Sequence, residues 1–323
     1  MRKIFIVGII LFSLSSFVKP LNTNYWGFFG HKKINNLAVF TLPEPLFGFF
    51  RVHQKEITER SVAPDKRRHM FKDEAPKHYI DLDHYCDSRE AVFDSMPEKW
   101  NDAVAKYTKD TLLAFGIVPW AVNLSFYQLK KAFENENWEK VVKISADLGH
   151  YIADAHVPLH TTENYNGQMT GQDGIHGFWE SRLPELFFDE YDFFIGKAQY
   201  VNHTQHYIWE RLKESHWALD SVLEFEKYLR TDENTVNMYS FELKGKRVVK
   251  CYAEDYAKQY HIMLDGMVER RMKSAVKTVG SFWYTAWVMA GQPNLPKPES
   301  LLILAEDTTL RKHIRNKASR IHE

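Results

Sequence analysis

Apolar residues recur at helical spacing along most of the chain that follows residue 25. Between residues 138 and 156, Val141, Ile144, Leu148 and Ile152 follow one another at steps of three and four, which places them on one face of a helix. The same periodicity predicts three further helices, over residues 100–115, 207–229 and 252–289. The pattern therefore predicts an all-α fold.

Glycine, proline and one strand-like stretch mark the places where the helices are interrupted. Gly280 predicts a break in the last long helix, and the run GQPNLP at residues 291–296 ends that helix. Residues 241–251 (FELKGKRVVKC) predict one short hairpin, which turns at residues 244–246. Because neither repeats nor low-complexity segments separate the helices, we expect a single multi-helix domain.

The N-terminal segment has the pattern of an export signal. Arg2 and Lys3 precede an apolar run over residues 4–17, which is shorter than the about 20 residues of a membrane-spanning helix. We therefore expect a signal peptide whose removal leaves a secreted or periplasmic protein; an uncleaved membrane anchor is the alternative. The predicted division of the chain is a signal peptide at 1–25, a domain at 26–296 and a basic C-terminal tail at 297–323.

Composition narrows the possible classes of protein. The 323 residues are 44% hydrophobic and include only 12 prolines, which excludes a disordered or collagen-like polymer. Lys and Arg total 42, as do Asp and Glu, so the chain lacks the surplus of cations that a sequence-independent nucleic-acid binder needs. Cys86 and Cys251 form at most one disulfide, and the sequence leaves their pairing open. The 15 histidines are the unusual feature, and four of them lie between His150 and His176.

The densest group of candidate metal ligands lies between residues 150 and 180. His150 and Asp154 are four residues apart on a predicted helix, so both side chains project from one face. His160 follows this helix, and His176 and Glu180 repeat the four-residue spacing at the start of a second helix. Imidazole nitrogen and carboxylate oxygen are both zinc ligands. One such pair alone is more often a helix salt bridge, but two pairs with a histidine between them favour a metal site.

Three upstream segments supply further candidates. Asp65 lies in a predicted turn beside three cations, and His78 begins the run HYIDLDH. The segment WGFFGH directly behind the predicted signal peptide carries Trp26 and His31. Taken separately, these features are typical of a solvated charged loop, of surface histidines and acids, and of a packed aromatic segment. Their order along the chain is what makes them informative.

Together these residues resemble the superfamily of zinc-dependent phospholipases C and single-strand-specific fungal nucleases. That superfamily has an N-terminal Trp in the mature protein, then His, Asp and His, and then the block His-x3-Asp-x5-His…His-x3-Asp/Glu. The matching positions are, in chain order, Trp26, His31, Asp65, His78, His150, Asp154, His160, His176 and Glu180. The resemblance implies an all-α fold of the phospholipase C and nuclease type, with a metal cluster between helices.

The resemblance also implies three zinc ions and assigns ligands to each. The first ion would be bound by Asp65, His78, His150 and Asp154. The second would be bound by His160, His176 and Glu180. The third would be bound by the α-amino group and carbonyl oxygen of Trp26, by His31 and by a shared Asp154. The third set requires that cleavage makes Trp26 the N-terminus, because only cleavage creates a free amine there.

Further roles are expected for one of the ligands, Asp65, and for four residues near the ligands. By the same resemblance, Asp65 would accept the proton of the attacking water. His156 would support the ligands without binding metal itself. Lys66, Arg67 and Arg68 are candidates for contacts to the phosphate of the substrate, because they are cations next to a predicted ligand.

The two branches of the superfamily are each favoured by two features. Glu180 occupies a position where the nucleases usually have Asp, and the loop before His176 lacks their Asp-x-Gly-Gly-Asn signature. The short spacing from Trp26 to His31, and His156 within DAHVPLH, are instead more typical of nucleases. We therefore expect a trinuclear zinc phosphodiester hydrolase, with phospholipase C slightly ahead of a single-strand nuclease.

The expected substrate is accordingly a phospholipid headgroup or single-stranded nucleic acid. A peripheral contact with a membrane surface is compatible with the first, and no stable protein partner is expected. A non-catalytic exported zinc-binding protein is the alternative from another class. A missing ligand would support that alternative, and the sequence supplies every ligand position.

Overall fold

The computed structural model describes residues 26–86, 88–231 and 237–296. It is 67% helix and 4% strand, which confirms the prediction of an all-α class. The predicted signal peptide at 1–25 and the predicted tail at 297–323 lie outside the described residues.

The helices and the hairpin follow one another in this order. The first group is α1 (Trp26–Ala38), α2 (Leu46–Val52), α3 (Gln54–Arg60), α4 (Ala63–Arg67), α5 (Arg89–Ser95), α6 (Trp100–Tyr107), α7 (Lys109–Phe115), α8 (Val118–Glu134) and α9 (Trp138–Asp154). The second group is α10 (Ile175–Gly177), α11 (Leu183–Phe187), α12 (Thr204–Thr231), β1 (Tyr239–Lys244), β2 (Arg247–Tyr252), α13 (Glu254–Met263) and α14 (Met267–Met289). Short 3-10 turns lie at Val39–Thr41, Ala75–His78, Leu82–His84, Pro158–Thr161 and Phe188–Glu190, and a π-helical turn lies at Phe178–Arg182.

The core is built where α14 packs against α1, α8 and α9. Phe126 of α8 and Phe282 of α14 are both buried and meet edge to face, with ring centroids 5.7 Å apart. Trp283, one residue along α14, is buried against Phe50 and donates its indole N–H to the carbonyl oxygen of Ser145 in α9. Burial of such large apolar side chains supplies most of the favourable free energy of folding. The helix that ends at the candidate site, α9, is therefore held rigidly from one side.

The break in the last helical segment differs from the prediction. It lies between α13 and α14, where Gly266 has a positive φ of 70°, and α14 runs without interruption through Gly280. A Cβ atom at Gly280 would lie 1.9 Å from Oγ1 of Thr41. The glycine is therefore a place of close approach between α14 and the turn that follows α1, and it is not a break.

Three other predicted boundaries also shift. The single helix expected over 100–115 is divided into α6 and α7 at Thr108, whose φ is 66° and whose hydroxyl oxygen accepts a hydrogen bond from the backbone N–H of Thr111. The helix expected over 138–156 ends at Asp154, and α12 extends beyond 207–229 at both ends. The predicted hairpin is present, with its turn at Gly245 and Lys246.

Two further observations concern membrane-spanning helices and the cysteines. Among the described residues, no single helix has the length and apolar composition needed to cross a bilayer, although α7 and α8, bent by 101° at their junction, meet that test as a pair. Cys86 and Cys251 are both free thiols, so the one disulfide that the sequence left open is not formed.

Candidate metal centre

The candidate centre gathers side chains from segments that are far apart in the sequence. Its middle is the C-terminal end of α9, where His150 and Asp154 lie one turn apart and are both buried. The other members come from α1, α4, two 3-10 turns, α10 and the π-helical turn. They are, in that order, His31, Asp65, His78, His160, His176 and Glu180. All eight described residues that the sequence predicted as ligands thus lie in one cluster.

The carboxylate of Asp154 lies at the middle of the cluster and faces histidines on both sides. Its Oδ2 is 2.9 Å from Nδ1 of His78 and 3.2 Å from Nε2 of His150. Its Oδ1 is 3.3 Å from Nε2 of His31 and 3.5 Å from Nδ1 of His160. A carboxylate with each oxygen turned to a different pair of imidazoles is placed to bridge two cations.

A second group of three lies next to the first. Oε2 of Glu180 is 2.6 Å from Nε2 of His176 and 3.2 Å from Nε2 of His160. The two imidazole nitrogens are themselves 3.3 Å apart. On the other side of Asp154, Oδ1 of Asp65 lies 3.8 Å from both Nδ1 of His78 and Nε2 of His150. Potential ligand atoms therefore converge in sets of three, within 4.8 Å of one another.

Backbone carbonyl groups fix the orientation of three of the imidazole rings. The three pairs, each between Nδ1 and a carbonyl oxygen, are His150 with Ser61 (2.8 Å), His160 with His78 (2.7 Å) and His176 with Tyr165 (3.2 Å). A carbonyl oxygen only accepts hydrogen bonds, so each Nδ1 carries a proton and each Nε2 is the ring nitrogen that faces the cluster. Histidines that bind metal are typically oriented in this way.

The protonation of the cluster is that of a network of ion pairs. Burial opposes protonation of His150 and His160, but neighbouring carboxylates outweigh it and raise the pKa of both imidazoles to about 9. Burial would raise the pKa of the Asp154 carboxyl, but the surrounding histidines hold this pKa well below its usual range. In the same way, His160 and His176 lower the pKa of Glu180 to about 2 against the effect of burial. The carboxylates of Asp154 and Glu180 are therefore anionic at neutral pH, as metal ligands must be.

The donor set fits a divalent transition-metal ion. Five imidazoles and three carboxylates converge, and these are the nitrogen and oxygen ligands that zinc accepts. Nδ1 of His31 and Nε2 of His78 are buried without a hydrogen-bond partner in the described part of the chain, and such groups are rare in folded proteins. So many ionisable side chains are costly to bury unless charges of opposite sign compensate them, and a bound cation provides such a charge.

A cleft of about 590 Å³ opens onto the cluster. His78, His160 and His176 form part of its wall, so the centre is reached from outside. Arg68 and His69 are further lining residues and provide potential positive charge. A small anionic molecule that enters the cleft can therefore approach the imidazoles directly.

The three predicted phosphate contacts have different surroundings. Arg67 is held by carboxylates on both sides: its Nη2 is 3.0 Å from Oε1 of Glu74 and 3.1 Å from Oδ2 of Asp147. Its guanidinium is thus engaged within the protein and fastens α4 to α9. Lys66 is exposed but is absent from the cleft wall, whereas Arg68 is exposed and lines the cleft. Of the three, only Arg68 lines the cleft, where its Nη1 lies 3.8 Å from Oδ1 of Asp65.

The predicted supporting residue His156 lies behind the centre. Its Nδ1 is 2.7 Å from the carbonyl oxygen of Ile152, and its Nε2 is 3.4 Å from Oγ1 of Thr278 in α14. Burial, together with the positive charge of Arg271, holds the pKa of His156 well below its usual range, so the imidazole is neutral. It therefore joins α9 to α14 and belongs to none of the candidate ligand sets.

The cleft also contains residues that the sequence did not assign to the site. Asp81 lines it, and burial, followed by repulsion from Asp83 and Glu163, raises the pKa of its carboxyl to about 7. The exposed ring of Tyr165 lines it as well. The only sequence signal for Asp81 was its place three residues after His78, in a run that equally suits a solvated surface.

The predicted N-terminal ligand is the one member that cannot be placed. Helix α1 begins at Trp26, but the side chain of Trp26 and the residues before it lie outside the described part of the chain. His31, one turn and a residue further along α1, stacks on His150 with ring centroids 3.8 Å apart. Trp26 is thus close in the sequence to a member of the centre, and the binding of metal by Trp26 remains a prediction.

No protein-family model matches the chain, and no curated protein matches it. What the fold and the site define is a class: an all-helical protein with a buried cluster of histidines and carboxylates that could bind a metal ion, open to a cleft on one side.

Proposed function

We propose that the protein is a zinc-dependent phosphodiester hydrolase of the phospholipase C type, with the fold of the phospholipase C and nuclease superfamily. One observation carries the proposal. Every described residue that the resemblance named as a ligand, from His31 to Glu180, lies in a single cluster around Asp154. Surface residues on separate segments, without a shared role, would not be expected to converge in this way.

The ligand sets of the proposal are those that the resemblance implies, and the converging side chains support them without dividing in the same way: Asp65 converges with His31 and His150. One zinc ion would be held by Asp65, His78, His150 and Asp154, a second by His160, His176 and Glu180, and a third by Trp26, His31 and Asp154. Bound zinc would supply Lewis-acid chemistry, which neutralises the charge of a phosphodiester and lowers the pKa of water. Because three of the histidines reach an open cleft, the centre differs from a structural zinc site, which is closed by its ligands. This favours an enzyme over a non-catalytic zinc-binding protein.

Two carboxyl groups would move protons in the proposed hydrolysis. The oxygen of a water molecule forms the new bond to phosphorus, and the bond from phosphorus to the leaving oxygen breaks. Asp65, whose side chain is 19% exposed, would accept a proton from the attacking water. Asp81 would donate a proton to the leaving oxygen, because a carboxyl group with a pKa of about 7 is still partly protonated at neutral pH. The products are an alcohol and a phosphomonoester.

A single-strand nuclease is the second candidate, and one structural observation favours it. Tyr79 and Tyr165 both line the cleft, and Tyr165 is exposed. Exposed aromatic rings beside a phosphate site are platforms on which unpaired bases stack. Phospholipase C stays first because Glu180 and the loop before His176 follow that branch.

A direct comparison of substrates tests the proposal. The purified protein, supplied with zinc, should release phosphorylated headgroup from phospholipid faster than it cleaves single-stranded DNA. Glu180→Gln should abolish both reactions, and Met169→Ala, a change at an exposed residue outside the ligand sets, should leave at least one of them largely intact. Faster cleavage of DNA would establish the second candidate. Failure of the zinc-loaded protein on both substrates would refute the proposal.

The proposed location can be tested separately. We propose a secreted or periplasmic protein, as residues 1–25 predict. Fractionation of cells that express the full chain should recover a product that lacks these residues from outside the cytosol. An intact N-terminus in the cytosolic fraction would contradict this location.

A further inference from the structure

The β-hairpin turns its apolar side chains outwards. Leu243 of β1 is paired with Val248 of β2, and Phe241 is paired with Lys250, so these four side chains share one face. Phe241 is 74% exposed, Leu243 72% and Val248 68%. In an ordinary hairpin the apolar side chains face the body of the protein, whereas in this hairpin they face outwards.

The opposite face and the base of the hairpin are fastened to the body of the protein. Glu242 contacts the guanidinium of Arg182, which also donates from Nε to the carbonyl oxygen of Tyr252 at 3.0 Å. The ring of Tyr252, at the end of β2, is buried and stacks on Phe178 with ring centroids 3.9 Å apart. The outward direction of the apolar face is therefore set by specific contacts at the base.

The charge of the hairpin is positive. Lys246, Arg247 and Lys250 are exposed, and the sequence of β1 adds Lys244. The one acid within the two strands, Glu242, is engaged by a cation of the body. Lys250 lies over the ring of Tyr239, with Nζ 3.8 Å from the ring centroid. An exposed apolar face next to exposed cations is typical of segments that lie in the interface of an anionic bilayer.

We propose that this hairpin docks the protein on anionic phospholipid bilayers, with Phe241, Leu243 and Val248 inserted into the interface and the lysines and arginine at the level of the headgroups. The inference goes beyond the proposed hydrolysis and does not depend on it, because the hairpin contributes no residue to the metal centre. A second copy of the chain fits the surface less well, since pairing through this face would bring two basic turns together. Nucleic acid would leave Leu243 and Val248 exposed.

The hairpin is joined to the segment that carries two of the candidate ligands. The hydroxyl of Tyr252 donates to the carbonyl oxygen of Asp173 at 3.4 Å, shortly before His176, and Phe178 precedes Glu180 by two residues. Docking through the hairpin would therefore hold the segment that carries His176 and Glu180 near the lipid surface.

Vesicle binding of the full chain tests the proposal. Sedimentation with vesicles of phosphatidylcholine alone, and of phosphatidylcholine with phosphatidylglycerol, should show a preference for the anionic vesicles. The double variant Phe241→Ser/Leu243→Ser should bind them at least tenfold more weakly, because two large apolar side chains no longer leave water. Lys246→Glu/Arg247→Glu should bind the anionic vesicles more weakly, by at least about fivefold for each removed cation, and should therefore lose the preference for them. Phe194→Ser, a matched change at an exposed Phe outside the hairpin, should bind as the wild type does.

A local probe separates the hairpin from any lipid binding by residues 1–25. Cys86→Ser/Cys251→Ser removes the two native thiols, and Val248→Cys then carries an environment-sensitive fluorophore. Its emission should shift to the blue with anionic vesicles and stay unchanged with single-stranded DNA. Circular dichroism should show native helix content in every variant.

Three results would overturn the proposal. They are unchanged vesicle binding by both double variants, a blue shift with DNA instead of vesicles, and a blue shift that follows protein concentration without lipid, which would assign the face to self-association. Hydrolysis of a soluble phosphodiester by Phe241→Ser/Leu243→Ser should match the wild type. This last assay keeps a failure of docking distinct from a failure of the proposed hydrolysis.

Discussion

Nδ1 of His160 lies 2.7 Å from the backbone carbonyl oxygen of His78, so two histidines assigned to different zinc ions are joined by a hydrogen bond. The backbone that positions one ligand therefore also orients the other. A displacement of the turn at Ala75–His78 would rotate the imidazole of His160, so a change in the geometry of one ligand set would also change the other.

The metal content is the first prediction. The purified protein should contain about three zinc ions per chain, because the resemblance assigns the converging nitrogen and oxygen atoms to three ligand sets. Removal of zinc with EDTA should abolish activity and lower the melting temperature, since metal binds the folded chain and not the unfolded one. Elemental analysis and thermal unfolding of the same samples check both effects. A single zinc ion after gentle purification would contradict the trinuclear centre.

Asp154 should be more sensitive to substitution than a ligand that serves one ion. Asp154→Asn replaces a carboxylate oxygen by an amide nitrogen that does not coordinate zinc, and both original oxygens face imidazoles. We expect this variant to lose about two zinc ions, whereas His176→Ala should lose about one. Zinc analysis of the two purified variants provides the comparison. Equal zinc loss would show that Asp154 does not bridge.

His156 and His160 should behave differently although both are buried histidines. His156→Ala removes contacts to Ile152 and Thr278 but no candidate ligand, so zinc occupancy should stay nearly intact. Its activity should fall by at most about 10–100-fold, as is typical when a residue that supports ligands is lost. His160→Ala should lose a zinc ion. Zinc loss in the first variant and not in the second would reverse the assignment.

The N-terminus should control the third zinc ion. If the amine of Trp26 is a ligand, a chain with an extra Met before Trp26 has an amide nitrogen there, whose lone pair is delocalised into the carbonyl group. His31 and Asp154 alone are too few ligands for a tetrahedral site. The extended protein should therefore hold about two zinc ions and turn over slowly, and the trimmed protein should recover both properties. Mass spectrometry, zinc analysis and turnover on the two forms decide the matter; equal values would remove Trp26 from the ligands.

The pH profile should report Asp81. Because the proposed donor must be protonated and its pKa is raised to about 7, kcat should fall as the pH rises above about 7. Asp81→Asn should lower kcat about 100-fold and remove this decline. Asp83→Asn removes a neighbouring negative charge, which lowers the pKa of Asp81, so the decline should move to lower pH without disappearing. A decline that persists in Asp81→Asn would assign it to another group.

The helices could be predicted from the sequence because their apolar faces are periodic. The prediction was wrong where a tertiary contact determines the conformation of the backbone. Gly280 was taken as a break since glycine is a weak helix former, but its role is set by Thr41, which is remote in the sequence. Thr108 ends α6 with a positive φ, which the sequence does not indicate because threonine rarely adopts it. Such positions depend on packing that no local pattern contains.

The candidate ligands from His150 to Glu180 could be named from their local spacing, and His31, Asp65 and His78 from the resemblance, but the surroundings of these residues could not be predicted. Arg67 was an expected phosphate contact, and only the fold shows that Asp147 and Glu74 already hold its guanidinium. Asp81 was indistinguishable from a surface acid until burial next to Asp83 set its pKa. Charge is visible in a sequence, whereas the partner of a charge is a property of the fold.

The π-helical turn that carries Glu180 also constrains how the chain can change in length. Its closing hydrogen bond runs from the N–H of Leu183 to the carbonyl oxygen of Phe178, one residue further than in an α-helix. Loss of one residue between His176 and Glu180 would restore a regular helix and rotate Glu180 relative to His176 by about a quarter of a turn. In an alignment of relatives that keep this centre, gaps should therefore be absent between these two positions.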